Sequence, residues 1–298
     1  MTVQEFNDAA GNLERVVLSG PESASVEIYV YGATVTSWKS GTGAERLFVS
    51  RQAVLDGSKP IRGGIPLVFP QFGPGALPQH GFARNQRWTF LGATEHGAGV
   101  AATFELRDSE ETRGSAWPFR FVLTYTVDLT AHTLSTIMKC ENADERAFEF
   151  TALMHTYLGV GSIAQVEVEG LEGAEYDDKI SGQVGVKEAR ARVTVGTNED
   201  RVYRDVEDNV VVRERGGGAV AIRRFNFKDI VLWNPWEQKA REMADFADDE
   251  YHRMVCVEAG TVASSIALRP GQTISCGQLL TAEDVPAAAA AAATSAAI

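Results

Sequence analysis

The sequence predicts an all-β protein, a large antiparallel two-sheet β-sandwich with few short helices. Three observations carry this reading. Apolar residues alternate with polar ones at a period of about two rather than 3.6. The runs are short, recur at near-regular spacing, and are mostly bounded by Gly, Asn or Asp. Strands are not interleaved with long helical patterns, as a parallel α/β sheet would require.

In chain order, Val26, Ile28 and Val30 alternate with Glu27, Tyr29 and Tyr31, the pattern of a half-buried strand. Gly32 opens a second strand that leads to a turn at 41–43. Segments 88–91 and 100–106 flank a Gly-rich turn and read as a hairpin. Phe119, Phe121, Leu123, Tyr125 and Val127 then alternate with Arg120, Thr124, Thr126 and Asp128. Runs at 134–140 and 147–157 extend the series, followed by 163–169, 210–212, 219–222, 230–233, 255–258, 265–268 and 273–279. The one helical stretch is 235–245, where Pro235 suits a first turn. No shift in composition divides the chain, so 1–285 reads as one domain. Residues 286–298 form an Ala-rich tail that has no apolar face to dock and reads as frayed.

The densest stretch is 59–88, KPIRGGIPLVFPQFGPGALPQHGFARNQRW. It holds five of the ten prolines (Pro60, Pro66, Pro70, Pro74, Pro78) and five glycines. Proline fixes φ and removes an N–H donor, so neither a long helix nor a central strand fits here. Yet Ile61, Ile65, Leu67, Val68, Phe69, Phe72, Leu77, Phe82 and Trp88 are too apolar for a solvated linker. The segment reads as an ordered loop packed against a rigid scaffold, the setting where binding and catalytic groups concentrate. Lys59, Arg62, Gln79, His80, Arg84 and Arg87 are its polar residues.

With 298 residues the chain has ample material for a sizeable core. Its formal charge of −12 argues against nucleic acid or an anionic membrane as a partner. An anionic small molecule stays open, because a site's local potential need not follow the net charge. Cys140, Cys256 and Cys276 are far apart and odd in number, which argues against a disulfide framework. No apolar run reaches membrane-spanning length, and the acidic, mixed MTVQEFNDAAGNLERVV is unlike a signal peptide. The expected setting is cytoplasmic.

Two residues stand out chemically. His155 lies inside the expected strand FEFTALMHTYLG, on the face shared by Glu149, Thr151, Leu153 and Tyr157. An isolated histidine there is more often a strand-surface or core residue than a catalyst. Glu258 ends the apolar run 254–257; desolvated, such a carboxylate has a raised pKa and serves as a base near neutrality.

RGGIPLVFPQFG followed by LPQHGFARNQRW resembles the signature of the glucose-6-phosphate 1-epimerases, or hexose-6-phosphate mutarotases, of the aldose 1-epimerase (galactose mutarotase-like) superfamily. The resemblance covers nearly the whole chain. It includes DGSKPIRGG at 56–64, MHTYLGVG at 154–161, GLEGAEYDDK at 170–179, EDRVY at 199–203, VLWNPW at 231–236 and VCVEAG at 255–260.

This resemblance implies a two-sheet sandwich whose concave face holds a sugar, and an isomerase that interconverts anomers of glucose 6-phosphate. The reaction needs one base and one acid, with no metal, cofactor or covalent intermediate. Glu258 would be the base and His155 the acid, which would have to be largely protonated in the complex, as a nearby carboxylate favours. His80 would bond the ring oxygen or the C1 region, and Gln79 and Asp200 the sugar hydroxyls. Arg62 and Arg84 would bind the 6-phosphate, with Lys59 a weaker third, because guanidinium forks match phosphate oxygens. Tyr203 and Trp236 are either aromatic walls or core.

Competing classes remain. A cupin-like metal site is disfavoured because His80, His155 and Glu258 are far apart and no H-x-H occurs. A two-carboxylate glycosidase offers no pair the sequence can single out. A non-catalytic sugar-phosphate-binding protein, or a mutarotase for unphosphorylated aldoses, would share the fold.

Overall fold

The computed structural model describes residues 1–207 and 209–284, and among them the strands form antiparallel sheets of four, eight and nine strands. The Ala-rich tail at 286–298 lies outside the described residues. The nine-stranded sheet grows from the alternating runs of the middle of the chain. Phe121–Thr130 and Thr133–Asn142 bury every second residue and pair from Phe121↔Asn142 to Leu129↔Leu134. Leu123, Tyr125, Val127 and Leu129 are fully enclosed. Burying each aliphatic one contributes about 1.5–3 kcal/mol.

The eight-stranded sheet carries the candidate site. Its path runs through Glu199–Arg204, Asp229–Asn234, Met254–Leu268, Phe148–Met154 and Leu67–Val68, and Tyr157–Gly159 also pairs with Met254–Leu268. One face packs on the nine-stranded sheet. There Thr136 Oγ1 donates to Met154 Sδ at 3.0 Å, and Gln278 Nε2 to Thr156 Oγ1 at 2.8 Å. Alternate residues therefore point to the opposite face, where Val68, Leu153, Val202 and Val231 form a small cluster of their own.

The third sheet adds to the two expected. Thr2–Asn7, Leu13–Ser19, Ser25–Tyr29 and Thr34–Lys39 pair in chain order. The first of these was not foreseen, because every residue in it is exposed and no apolar alternation is written into TVQEFN.

Two expected strands are drawn differently. The run 147–157 is interrupted at His155 and Thr156, between Phe148–Met154 and Tyr157–Gly159. The His155 N–H donates to Pro66 O at 3.0 Å, in register with the pairing of Met154 to Leu67, and Pro66 has no N–H to return the bond. The runs 255–258 and 265–268 are one fifteen-residue strand, Met254–Leu268, so Glu258 sits within a strand and not at its end.

The 59–88 loop is ordered as expected. It contributes only the two-residue edge strand Leu67–Val68 and the 3-10 turn Ala83–Asn85. Gly64 shows why glycine follows Arg62. Its φ is +67°, and a Cβ there would lie 2.0 Å from Val35 O; only glycine permits that approach. The helix begins where proline suggested, over Trp236–Glu242 with Pro235 as its N-cap. No helix among the described residues is long and apolar enough to cross a membrane.

Candidate active site

The open face of the eight-stranded sheet, the 59–88 loop and the helix Trp236–Glu242 enclose a cavity of about 360 Å³, within the size range of small-molecule sites. Strand register builds its floor. Asp200 pairs with Trp233, Trp233 with Cys256, and Cys256 with Tyr157, which gives one row across four strands. Glu258 stands two residues from Cys256, opposite Val231, and His155 two residues from Tyr157. Side chains two apart on a strand share a face, so Glu258 and His155 meet.

His155 Nδ1 lies 3.3 Å from Glu258 Oε1, and both side chains are almost wholly buried. The approach lacks hydrogen-bond alignment, leaving Nδ1 and Glu258 Oε2 as buried atoms without a hydrogen bond among the described residues. With Nδ1 turned to the carboxyl, Nε2 is the ring nitrogen available to a ligand. The imidazole stacks on Tyr157 (centroids 4.8 Å apart, planes at 11°) and meets Trp233 edge-on at 5.9 Å. Its orientation is therefore fixed by packing.

The charge state of the pair follows from burial. Burial, reinforced by His80, Arg84 and Arg62, pushes His155 well below the usual histidine range. Burial, with Asp200 adding to it, pushes Glu258 well above the usual carboxyl range. The surrounding protein alone thus favours imidazole beside carboxylic acid, whereas the imidazolium was expected with substrate bound. Desolvation outweighs the attraction of the neighbouring carboxylate.

His80 reaches the cavity from the loop, edge-on to His155 at 5.6 Å. Its Nδ1 accepts from the Gly73 N–H at 3.2 Å, and its Nε2 lies 3.3 Å from Gln79 Nε2. Burial, then the charges of Arg84, Lys179 and Arg62, lower its pKa to about 3. The ring is neutral at pH 7, and the Gly73 bond puts its proton on Nε2, a neutral donor toward which the Gln79 amide would turn its oxygen. Gly81 holds this turn against Phe69 with φ +71°, where a Cβ would meet Phe69 O at 2.2 Å.

Of the cations expected at a phosphate, Arg62 lines the cavity and Lys59 does not. Arg62 Nε donates to Asp245 Oδ1 and Nη1 to the Tyr157 hydroxyl, both at 3.2 Å. Arg84 stands behind Gln79, whose carbonyl accepts from its Nη2 at 2.8 Å. Its Nε is buried without a hydrogen bond, and burial lowers its pKa to about 10. Among the described residues, no carboxylate pairs with it. Gln79 and Asp200 both line the cavity, as expected.

Several neighbours were missed. Lys179 lies 3.8 Å from Asp200 Oδ1 and 4.1 Å from the centre of the Phe72 ring. Lys239, from the helix, also faces the cavity. The aromatic walls are Phe72 and Trp233. Tyr203 is core, its hydroxyl donating to Glu188 at 3.0 Å, and Trp236 packs on Tyr251.

Comparison with known proteins follows the same lines. The profile of the aldose 1-epimerase family matches residues 14–281. A curated relative from Cenchrus ciliaris, provisionally named glucose-6-phosphate 1-epimerase, is 36% identical over 90% of this chain and 84% of its own. An Escherichia coli K12 protein under the same provisional name is 34% identical over 83% of this chain and 82% of its own. A Salmonella typhimurium crystal structure, provisionally described as a mutarotase, superposes with a TM-score of 0.84. It is 28% identical and covers 95% of this chain and 97% of that one.

Proposed function

The chain belongs to the aldose 1-epimerase family, and we propose that it interconverts the α and β anomers of a hexose 6-phosphate, glucose 6-phosphate first among them. The observation that carries this reading is the desolvated pair of His155 and Glu258, 3.3 Å apart on the wall of a sugar-sized cavity.

Ring opening breaks the bond from C1 to the ring oxygen and makes the C1 carbonyl. Glu258, as carboxylate, takes the proton of the C1 hydroxyl, and His155, as imidazolium, gives one to the ring oxygen. Rotation about the bond from C1 to C2 presents the other carbonyl face, and the same transfers in reverse close the ring. His80 Nε2–H donates to oxygen near C1, where charge changes during opening. Gln79 and Asp200 hold hydroxyls, with Trp233 and Phe72 against the sugar's apolar faces.

The phosphate assignment is supported by Arg62 in the cavity wall, Arg84 behind it without an ionic partner, and Lys179 and Lys239 alongside. A cluster of cations in a chain of net charge −12 suits an anionic ligand. The relatives' names point the same way.

The test is NMR exchange between the anomers of glucose 6-phosphate, with free glucose run beside it. Fast exchange of the phosphorylated sugar alone is the expected result. Equal acceleration of both would make the protein a general aldose mutarotase. Acceleration of neither, with the sugar phosphate bound, would make it a binding protein.

A further inference from the structure

We propose that Cys256, His155 and Glu258 together form a latent site for a thiophilic divalent cation such as Zn2+, and that filling it stops the acid–base reaction. The inhibitory half rests on the roles given above to His155 and Glu258.

The three side chains are buried, and their donor atoms all lie within 4.8 Å of one another. Sheet register produces this cluster. Cys256 and Glu258 are two apart on Met254–Leu268, and Tyr157, the partner of Cys256, carries His155 on the same face. Two atoms of the set, His155 Nδ1 and Glu258 Oε2, are buried without a hydrogen bond among the described residues. Unsatisfied buried polar atoms are costly, and coordination would relieve Nδ1 and, where the carboxylate binds through both oxygens, Oε2 as well.

The geometry is close to what zinc requires. Bonds of about 2.0–2.2 Å to nitrogen and oxygen and about 2.3 Å to sulfur put tetrahedral donors roughly 3.3–3.8 Å apart. Nδ1 and Oε1 already stand at 3.3 Å, and with all donors within 4.8 Å of one another side-chain movements of about 1 Å complete the set. A thiolate and a carboxylate cancel the charge of a divalent cation, and a net-neutral assembly is what a desolvated site tolerates. Sulfur and imidazole select zinc, cobalt or copper over magnesium and calcium, which prefer oxygen. His155 and Glu258 both line the cavity, the side from which a fourth ligand would come.

Such an ion is an inhibitor here and not a resident cofactor. It binds the Glu258 carboxylate and the lone pair of His155 Nδ1, and its charge lowers the carboxylate's basicity so that it no longer takes the C1 hydroxyl proton. It also holds the imidazole as a neutral ligand. Cys256 takes no part in the proton transfers and serves only as the third donor.

Cobalt binding to the full chain, followed by the near-ultraviolet thiolate-to-cobalt absorption, tests the site without reference to catalysis. Anomer exchange during zinc titration, reversed by EDTA, tests the consequence. The absorption is expected in the wild type and lost in Cys256→Ala and Cys256→Ser, the serine variant keeping nearly the same volume should alanine unfold the protein. Each variant's own uninhibited rate is the reference, and its half-inhibiting zinc concentration should rise by on the order of a hundredfold. Magnesium should do nothing. Undiminished zinc inhibition in the folded variants, or no sulfur-to-cobalt absorption in the wild type, would overturn the proposal. Sulfur-ligated metal with undiminished exchange would overturn the inhibitory half. If the metal-free protein exchanged no hexose phosphate while the absorption appeared, the functional reading would fall and the metal site would stand.

Discussion

Replacing Arg62 by alanine should separate the phosphorylated sugar from the free one. A guanidinium carries five N–H donors, and Arg62 commits Nε to Asp245 and one Nη1 hydrogen to Tyr157. The rest remain for a ligand, on a fork held from two sides. Two charge-assisted bonds to a phosphate are worth about 3–6 kcal/mol together. The side chain is 26% exposed, so solvent screening reduces this to roughly half. About 1.5–3 kcal/mol corresponds to roughly ten- to hundredfold in affinity. The apparent KM for glucose 6-phosphate should rise by that factor, with free glucose within about twofold of wild type. Arg62→Lys should recover part, since an ammonium keeps the charge and loses the fork. NMR exchange rates over a range of each sugar supply the constants, and thermal melting confirms that the variants fold. Equal losses on both sugars would show that Arg62 is scaffold and refute the phosphate assignment.

His155→Asn and Glu258→Gln should each slow anomer exchange by at least about a hundredfold, the usual contribution of a positioned acid or base; a folded variant within twofold of wild type would mean the catalysts are misassigned. Glu258→Gln should also raise the melting temperature at pH 8, by an amount that shrinks as the pH falls toward 4.5. The folded-state pKa of Glu258 lies well above the ordinary 4.5, so wild-type stability is lost as pH rises through that window and the uncharged amide escapes the loss. A constant difference across pH would contradict the burial account. Gly81→Ala should lower stability by about 1–3 kcal/mol and displace His80, because its Cβ would sit 2.2 Å from Phe69 O; unchanged melting and activity would show that the turn has slack.

Much of this was legible in the sequence because each strand writes its own parity. Phe121 to Leu129 alternates visibly, and the alternation survives in the burial of the strand. The same parity put His155 and Tyr157 on one face, and they stack. What one strand cannot state is its register against another. The approach of Glu258 to His155 depends on Tyr157 pairing with Cys256, a relation between strands almost a hundred residues apart in sequence. Trp233 as a wall follows from its pairing with Asp200 and Cys256, which nothing in VLWNPW announces. Lys179 and Lys239 were passed over because a lone lysine in a polar stretch has no periodic signature. The charge state that the protein alone favours was hidden for another reason. Residue names supply the charges, but desolvation is set by a cavity whose walls come from six segments of the chain.

That desolvation links the proton transfers to the charge of the substrate. Neutral His155 beside protonated Glu258 holds the same single proton as imidazolium beside carboxylate, and the two forms differ only in where charge lies. Burial favours the first at both residues. Arg62 favours it further, since its field opposes a positive imidazole, whereas Arg84 opposes the imidazolium and at the same time steadies the Glu258 carboxylate. If Glu258 acts as base and His155 as acid, as proposed, ring opening starts from the second form, and converting the pair is part of the barrier. A phosphate dianion bound at Arg62 cancels part of the opposing field, and the ionic form becomes cheaper to reach while the sugar is in place. Binding energy from a remote group is then expressed in turnover as well as in affinity. The Arg62→Ala kinetics should therefore carry a second signature, a fall in kcat on glucose 6-phosphate with no fall on glucose, because deleting the guanidinium also removes its own opposition to the imidazolium. A raised KM with kcat intact would confine the phosphate to holding the substrate and leave the tuning of His155 to the protein alone.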